Sequence, residues 1–343
     1  MISLYTFKEL LIPENRTYVH PIIFDLHYFE HVNQRTLNSY QLVDRVEAAD
    51  FLVFPLDILS KPAPRYKEHL KIMHSLAIEN QKKMWVYTGG DYGKTIRDSN
   101  IITWRLAGTR SKNAENTIII PSFINDPIQH QQAQLKYLNF KEKPSIAFTG
   151  FASSDFFINA RFIAATFKAN LKRALQKDDS DLQSYFVAPA KRYRALKCLE
   201  YSTSIETDFI YRGKYRDGAV TISQRQKSTQ EFFSNLVGSA YTFCMRGSGN
   251  FSVRFYESLA CGRIPILIDT DVVLPLENII DWDNTICRVD PKKNIVEQIL
   301  SFHHSLNSKS FIDLQKNNRD LFTSYLVRHS FFEAIYNELK MNK

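Results

Sequence analysis

The sequence lacks the features that mark disulfide-stabilised, zinc-binding and membrane-spanning chains. It has 4 cysteines in 343 residues and no Cys-x-x-Cys pair. This pattern argues against a disulfide framework and a zinc site, and it is typical of a reducing compartment. No run of roughly eighteen apolar residues occurs, and the N-terminus has no uninterrupted apolar core of signal-peptide type. We therefore expect a cytoplasmic protein that is at most peripheral to the inner face of a membrane.

The chain also lacks a concentrated block of one charge. Its 44 basic residues exceed its 36 acidic ones and give a net charge of +8, but the two kinds are interspersed and only residues 191–225 are locally basic. The net charge indicates an acidic partner, such as nucleotide phosphates, an acidic glycan, lipid head groups or nucleic acid. A nucleic-acid-binding protein would mass its basic residues on one face among aromatic ones. This function is therefore the less favoured alternative.

Length and hydrophobic pattern predict two α/β domains. A chain of 343 residues with 44% hydrophobic residues can bury two cores. The first half alternates short strands with helices, which is typical of a parallel sheet. Its predicted strands are 19–24, 51–56, 84–88, 101–104 and 117–120, and its predicted helices are 33–46 and 67–80. The second half predicts strands at 145–149 and 185–187 and helices at 160–174 and 230–236, with no assignment for 191–227.

The domain boundaries follow from a polar segment at residues 125–144, which we interpret as the linker. We predict an N-terminal α/β domain at 1–142 and a C-terminal α/β domain at 143–309. A helical tail at 310–343 would cross back to the first domain.

The most informative stretch is residues 241–269, which reads as strand, glycine-rich loop, helix, glycine stop and strand. Apolar residues fall at helical spacing after Ser252, and Gly262 stands where a left-handed helix cap is expected. In an open α/β sheet, the loop between a strand and the next helix borders the ligand crevice, and the helix start favours anions. Arg246 and Arg254 flank this turn, which indicates a phosphate site.

The same stretch resembles the exostosin family of glycosyltransferases. The similarity lies in the sequences FCMRG (243–247), SVRFYESL (252–259), GRIPI (262–266), LPL (274–276) and DW (281–282). Upstream, DRVEAADFLVFP (44–55) and GDYG (90–93) are also similar to family segments. The resemblance implies a GT-B fold, with two Rossmann-like domains facing a cleft. The N-terminal domain at 1–142 would lie on the acceptor side, and the C-terminal domain at 143–309 would bind the nucleotide sugar.

The activity implied by the resemblance is inverting transfer of a hexosyl or uronosyl residue from a nucleotide sugar, expected to be a UDP-sugar. The acceptor would be a glycan or glycolipid in polysaccharide biosynthesis. No cofactor and no metal ion are expected. A non-catalytic glycan-binding or scaffold domain of the same fold is the alternative.

Sugar transfer releases a diphosphate with extra negative charge, so the donor site needs arginines and main-chain N–H groups placed where that charge develops. The fork of Arg254 can bind two phosphate oxygens, and Glu257 could accept from ribose hydroxyls. Because Arg254 and Glu257 are three residues apart, they could alternatively form only a helix-surface ion pair. The predicted donor-binding residues are Arg246, Gly247, Ser248, Gly249, Asn250, Ser252, Arg254, Glu257 and Arg161.

An inverting transferase also needs a base that takes the proton of the acceptor hydroxyl from the opposite side of the cleft. Asp91 is the first candidate, because it follows a predicted strand and lies among glycines, although an ordinary turn is an equal alternative. Asp25 and His27 are the next candidates. Asp269 and Asp271 have the form of an Asp-x-Asp metal motif, but their position favours a turn.

Overall fold

The computed structural model describes residues 1–28, 34–213 and 218–341, and it contains two parallel sheets. The first sheet has the order β2-β1-β3-β4-β5-β6 and the second the order β11-β10-β9-β7-β8. The strands of the first are β1 Ile2–Tyr5, β2 Tyr40–Val43, β3 Phe51–Asp57, β4 Lys83–Thr88, β5 Ile101–Arg105 and β6 Thr117–Ile119. Those of the second are β7 Ser145–Phe151, β8 Glu206–Arg212, β9 Tyr241–Cys244, β10 Ile264–Ile268 and β11 Cys287–Val289.

Helices cover both sheets, as parallel sheets require because their strands are apolar on both faces. In β10, every residue of the sequence IPILI is buried. The described helices are α1 Pro21–Tyr28, α2 Gln34–Ser39, α3 Lys67–Glu79, α4 Pro127–His130, α5 Phe156–Ala174, α6 Ala188–Glu200, α7 Ile222–Gly238, α8 Val253–Ala260, α9 Ile295–His304, α10 Ser308–Leu321 and α11 Arg328–Met341. In the part of the chain that the structure describes, no helix is both long and apolar enough to span a bilayer.

The C-terminal helix returns to the first domain, as predicted. The hydroxyl of Tyr40 donates to the main-chain oxygen of Phe332 at 2.8 Å, and Arg328 binds the buried carboxylate of Asp25 at 2.7 Å. Two parallel α/β sheets and a returning C-terminal helix confirm the expected GT-B fold class. The predicted domain boundary at 142/143 falls between β6 and β7 and stays a prediction, as does the start of the tail at residue 310.

The two domains share one apolar core at their junction. Phe255 and Tyr256 of α8 and Trp282 after β10 are buried in the same cluster as Trp104 of the first sheet. The α8 helix is therefore held between the two sheets, and the loop that precedes it opens toward the first domain.

Several predicted elements are wrong. Residues 21–24 of the predicted strand 19–24 form the first half of α1 instead, because Pro21 starts a helix and buries Ile22 and Ile23 on its inner side. The predicted helix 33–46 begins outside the described residues, and its described part is the short α2 followed by strand β2. Residues 185–187 are not a strand and lead directly into α6. The first strand, β1, was not predicted.

Candidate functional site

The glycine-rich loop between β9 and α8 is the centre of the candidate site. Gly262 has φ of 60° and ends the helix region in the left-handed conformation, as predicted. A Cβ at Gly249 would lie well under 3.0 Å from the main-chain oxygen of Asp91. Only glycine therefore allows this loop of the second domain to touch the turn after β4 of the first domain.

Arg254 lies beneath this loop and not on the helix surface. Its guanidinium donates to the main-chain oxygen of Thr149 at 2.5 Å and lies 4.6 Å from the ring centroid of Phe148. A Cβ at Gly150 would be 2.8 Å from a guanidinium nitrogen, so glycine at this position makes room for the arginine. Burial lowers the pKa of Arg254. The Glu257 carboxylate acts in the opposite direction, but its effect is smaller.

A third arginine, Arg192 on α6, completes the group. Its guanidinium donates to the main-chain oxygens of Phe151 at 2.5 Å and of Arg246 at 3.0 Å. Arg246 in turn donates to the main-chain oxygen of Ser248 at 2.7 Å. We call Arg192, Arg246 and Arg254 the arginine cluster. Burial, and to a smaller extent the charge of Arg254, lower the pKa of Arg192 to about 10.

Among the described residues, the guanidinium groups of the arginine cluster pair with main-chain oxygens. Within the described residues, its hydrogen bonds all go to main-chain oxygens, and no carboxylate lies within 4.0 Å of its nitrogens. The buried Nε atoms of Arg192 and Arg254 meet no acceptor in the described chain. Leaving a buried donor without a partner costs about 1–3 kcal/mol, so an anion bound here would stabilise the cluster.

Asp91 lies opposite the arginine cluster, in the turn after β4. Its side chain is exposed. Surrounding protein atoms raise the pKa of its carboxyl, while the nearby Arg246 acts in the lowering direction. The structure thus brings together Asp91 from the first domain with Arg246 and Gly249 from the second, which is the placement expected of a base facing a donor site.

Asp25 and His27 do not join this site. Both lie on α1, and Asp25 is 1% exposed and bound to Arg328. His27 packs edge-on against Tyr28, with ring centroids 4.7 Å apart. These residues were selected as followers of a predicted strand that is in fact a helix. Asp25 holds the C-terminal helix instead.

The other predicted donor residues are placed in different ways. Gly247 and Ser248 line the open side of the loop, since a Cβ at Gly247 would meet nothing within 4 Å and Ser248 is exposed. Ser252 immediately precedes α8, and Glu257 is half-buried one turn after Arg254. Arg161 is exposed on α5. Its role toward the donor stays a prediction.

Asn250 has a structural position. It is buried, and its amide nitrogen donates to Gly108 O at 2.9 Å and to Thr270 O at 3.1 Å. Its side-chain oxygen accepts from the Thr270 hydroxyl at 2.7 Å. This side chain therefore joins the two domains and is not turned toward the open side of the loop.

Asp269 and Asp271 form a turn. A side-chain oxygen of Asp269 accepts the main-chain N–H of Asp271 at 2.9 Å, and Asp269 also lies 3.5 Å from Arg288. Asp271 has φ of 63° and binds the hydroxyl and N–H of Ser111 across the domain junction. The two carboxylates are thus engaged by protein groups in the way the turn interpretation expects.

Sequence reasoning missed Arg192, because residues 191–227 received no assignment. The available signal was Pro189, which occupies the first turn of α6 and commonly marks a helix start. That signal would have placed Arg192 near a helix N-terminus. It would not have shown that this helix end meets the loop at Arg246.

Solved structures resemble this chain only at low sequence identity. Comparison with curated proteins finds no match. Among solved structures, a glycosyltransferase from Rickettsia africae ESF-5 is similar at 9% identity over 100% of this chain and 99% of that chain, with a TM-score of 0.37. Anabaena Alr3699/HepE, solved with UDP-glucose, is similar at 6% identity over 99% and 100%, with a TM-score of 0.34.

The family comparison is specific to the second domain. Residues 187–303 match the Exostosin GT47 domain. This range contains the whole arginine cluster, the glycine-rich loop and α8. The segment that holds the candidate donor site is therefore similar to the Exostosin GT47 domain, the family that the sequence resembles.

Proposed function

We propose that this protein is an inverting glycosyltransferase that moves a hexosyl or uronosyl residue from a UDP-sugar to a glycan or glycolipid acceptor in polysaccharide biosynthesis. The observation that carries the proposal is the arginine cluster. It combines three guanidinium groups, no carboxylate partner among the described residues and two buried Nε donors without an acceptor. A diphosphate matches this set of donors in charge and in hydrogen-bonding capacity.

The proposed role of the cluster is to stabilise the leaving nucleoside diphosphate. Negative charge grows on that group as the bond to the sugar breaks, and donors that are already oriented need no reorganisation at that moment. Contacts to the main chain and to the Phe148 ring hold the guanidinium of Arg254 in one orientation. The cluster could supply the charge that a divalent metal supplies in other transferases, so we propose transfer without an essential metal.

Asp91 would act as the base that takes the acceptor proton. It faces the cluster from the other domain, and its exposed carboxylate is open to an acceptor. A general base of this kind commonly contributes about 10²–10⁴-fold to the rate.

A cavity lined by residues of the first domain and of the end of α5 favours an acidic acceptor. It has a volume of about 430 Å³ and lies between the segment after β3 and the end of α5. We call it the lysine cavity, since its basic residues are Lys61, Lys67, Lys94, Lys172 and Lys177. Asp178 and Asp179 also line it, but Asp179 lies 3.8 Å from Lys67 and Asp178 lies 3.6 Å from Arg173. Lys94, which lines the cavity, follows Asp91 by three residues, and we infer from this that the cavity lies near the proposed base.

The proposal is tested by incubating the protein with UDP-glucose, UDP-glucuronic acid, UDP-N-acetylglucosamine and GDP-mannose in the presence of a chelator. We expect one UDP-sugar to raise the melting temperature and to release UDP when an acidic oligosaccharide is added. Stabilisation without any release of nucleotide, with every acceptor tried, would favour the non-catalytic glycan-binding alternative. Tight binding of nucleic acid with no response to nucleotides would favour the nucleic-acid alternative.

A further inference from the structure

Helix α5 exposes an unusually large apolar surface. Six large apolar side chains of α5 are exposed, by 77% for Phe156, 74% for Phe157, 37% for Phe162, 47% for Ile163, 59% for Phe167 and 48% for Leu171. Large apolar side chains exposed together commonly mark an interaction surface, whereas scattered ones do not. These six belong to one helix of 19 residues, about 28 Å long.

Four of the exposed apolar residues form one face of the helix. Positions 156, 163, 167 and 171 repeat at intervals of seven and four, so their side chains lie in a row along the axis. Arg161, Lys168 and Lys172 repeat at the same intervals and form an exposed basic row along one side. The helix contains no acidic residue. We call these two rows the outer face of α5.

The side of α5 that carries Asn170 and Arg173, and not the apolar row, attaches the helix to the protein. Asn170 exchanges hydrogen bonds with the main chain of Gln183 at 2.8 and 3.0 Å. The buried Arg173 binds Ser180 at 2.9 Å and lies 4.5 Å from the ring centroid of Tyr92. A surface helix ordinarily turns its apolar stripe to the core. In α5 the polar contacts face inward, which leaves the apolar row available for a partner.

We propose that the outer face of α5 binds the surface of an anionic lipid bilayer. Apolar and aromatic side chains beside a row of Lys and Arg are the combination that enters the boundary between head groups and acyl chains. The basic row would lie against anionic head groups, each charge adding roughly 1 kcal/mol of attraction near the surface. A protein partner would have to match the basic row with acidic residues of its own, whereas an anionic bilayer supplies negative charge along the whole helix.

Docking in this way would place the cleft beside the bilayer. Lys172 belongs to the basic row and also lines the lysine cavity, so the cavity would open at the level of the head groups. Only this last step rests on the proposed function, since it would bring a membrane-linked acidic acceptor to Asp91. The binding of the helix to lipid is independent of catalysis.

The test is co-sedimentation of the full chain with vesicles of equal parts phosphatidylglycerol and phosphatidylcholine, and with vesicles of phosphatidylcholine alone. We expect binding to the anionic vesicles that weakens with salt. The double variant Phe156→Ser/Phe167→Ser should bind the anionic vesicles with an affinity at least about tenfold lower, since each phenylalanine contributes apolar burial. Ile72→Ser/Ile78→Ser on α3 is the matched control, because Ile72 and Ile78 are 52% and 50% exposed; it should bind like the wild type.

A second variant separates charge from apolar burial. Arg161→Gln/Lys168→Gln should remove most of the preference for anionic vesicles. Equal sedimentation of wild type and Phe156→Ser/Phe167→Ser would overturn the proposal. The proposal would also fail if the wild type did not bind vesicles and instead formed a concentration-dependent dimer that only the Phe variant abolishes. UDP binding is measured on the same preparations. If the protein binds UDP but not vesicles, the membrane proposal fails and the proposed function stands. If it binds vesicles but not UDP, the proposed function fails and the membrane proposal stands.

Discussion

At the scale of single residues, Arg254 is where the structure chooses between two interpretations. The spacing to Glu257 allowed a helix-surface ion pair. In the structure, the guanidinium instead binds Thr149 O and packs on Phe148, beneath the glycine-rich loop. Burial lowers the pKa of Arg254, and the charge of Glu257 acts in the opposite direction.

We predict that Arg254→Lys lowers the turnover rate more than it weakens donor binding. Lysine keeps the charge but loses the planar fork, and a contact that strengthens in the transition state affects turnover most. Removing one such donor commonly costs about 10²–10³-fold. Initial rates and donor affinity are to be measured on the variant, with Arg194→Lys, an exposed neighbour on α6, as the control. Near-normal turnover in Arg254→Lys would exclude the proposed role.

Asp91 gives a prediction about pH. The pKa of its carboxyl is raised by the surrounding protein, and the protonated form cannot accept the acceptor proton. Turnover should therefore fall as the pH drops through this raised pKa, above the range of an ordinary aspartate. Asp91→Asn should lose about 10²–10⁴-fold in rate and should lose this acid limb. An acid limb that survives in the Asn variant would assign it to another group.

At the scale of elements, the contact between the β9–α8 loop and the turn after β4 depends on Gly249. We predict that Gly249→Ala impairs both turnover and stability, the latter by about 1–3 kcal/mol as for other overpacking changes, because its Cβ would collide with the Asp91 main chain. Gly238→Ala is the control, since a Cβ there would meet nothing within 4 Å. The melting temperature and the turnover rate are to be measured on both variants. Wild-type behaviour of Gly249→Ala would show that the two loops do not meet.

The sequence was sufficient where the signals are local. Strand β10 is a short, wholly apolar run, and Gly262 has the left-handed φ that its position demanded. It was insufficient at α1, because a short apolar run does not distinguish a strand from a buried helix. It was also insufficient for Asn250, whose bonds to Gly108 and Thr270 depend on how two domains meet. The contacts of Arg192 with Phe151 and Arg246 likewise depend on how distant parts of the chain meet.

At the scale of the whole molecule, the two domains are joined by a common core and by buried polar contacts. Asn250 contributes several of these contacts to main-chain oxygens of both domains. Asn250→Ala should therefore lower the free energy of unfolding by about 1–3 kcal/mol, since it leaves buried carbonyl groups without a donor. Asn278→Ala at an exposed position is the control. Denaturant unfolding measures both, and equal midpoints would contradict the assigned position of Asn250.

The central claim is that the arginine cluster binds the diphosphate of a nucleotide sugar. Titration calorimetry of UDP into the protein, in buffer with a chelator, tests it most directly. We expect binding without metal, an affinity at least about tenfold lower in Arg192→Ala because a charge-assisted contact is lost, and no change in Arg194→Ala. Binding that vanishes with the chelator, or equal affinities in the two variants, would contradict the claim.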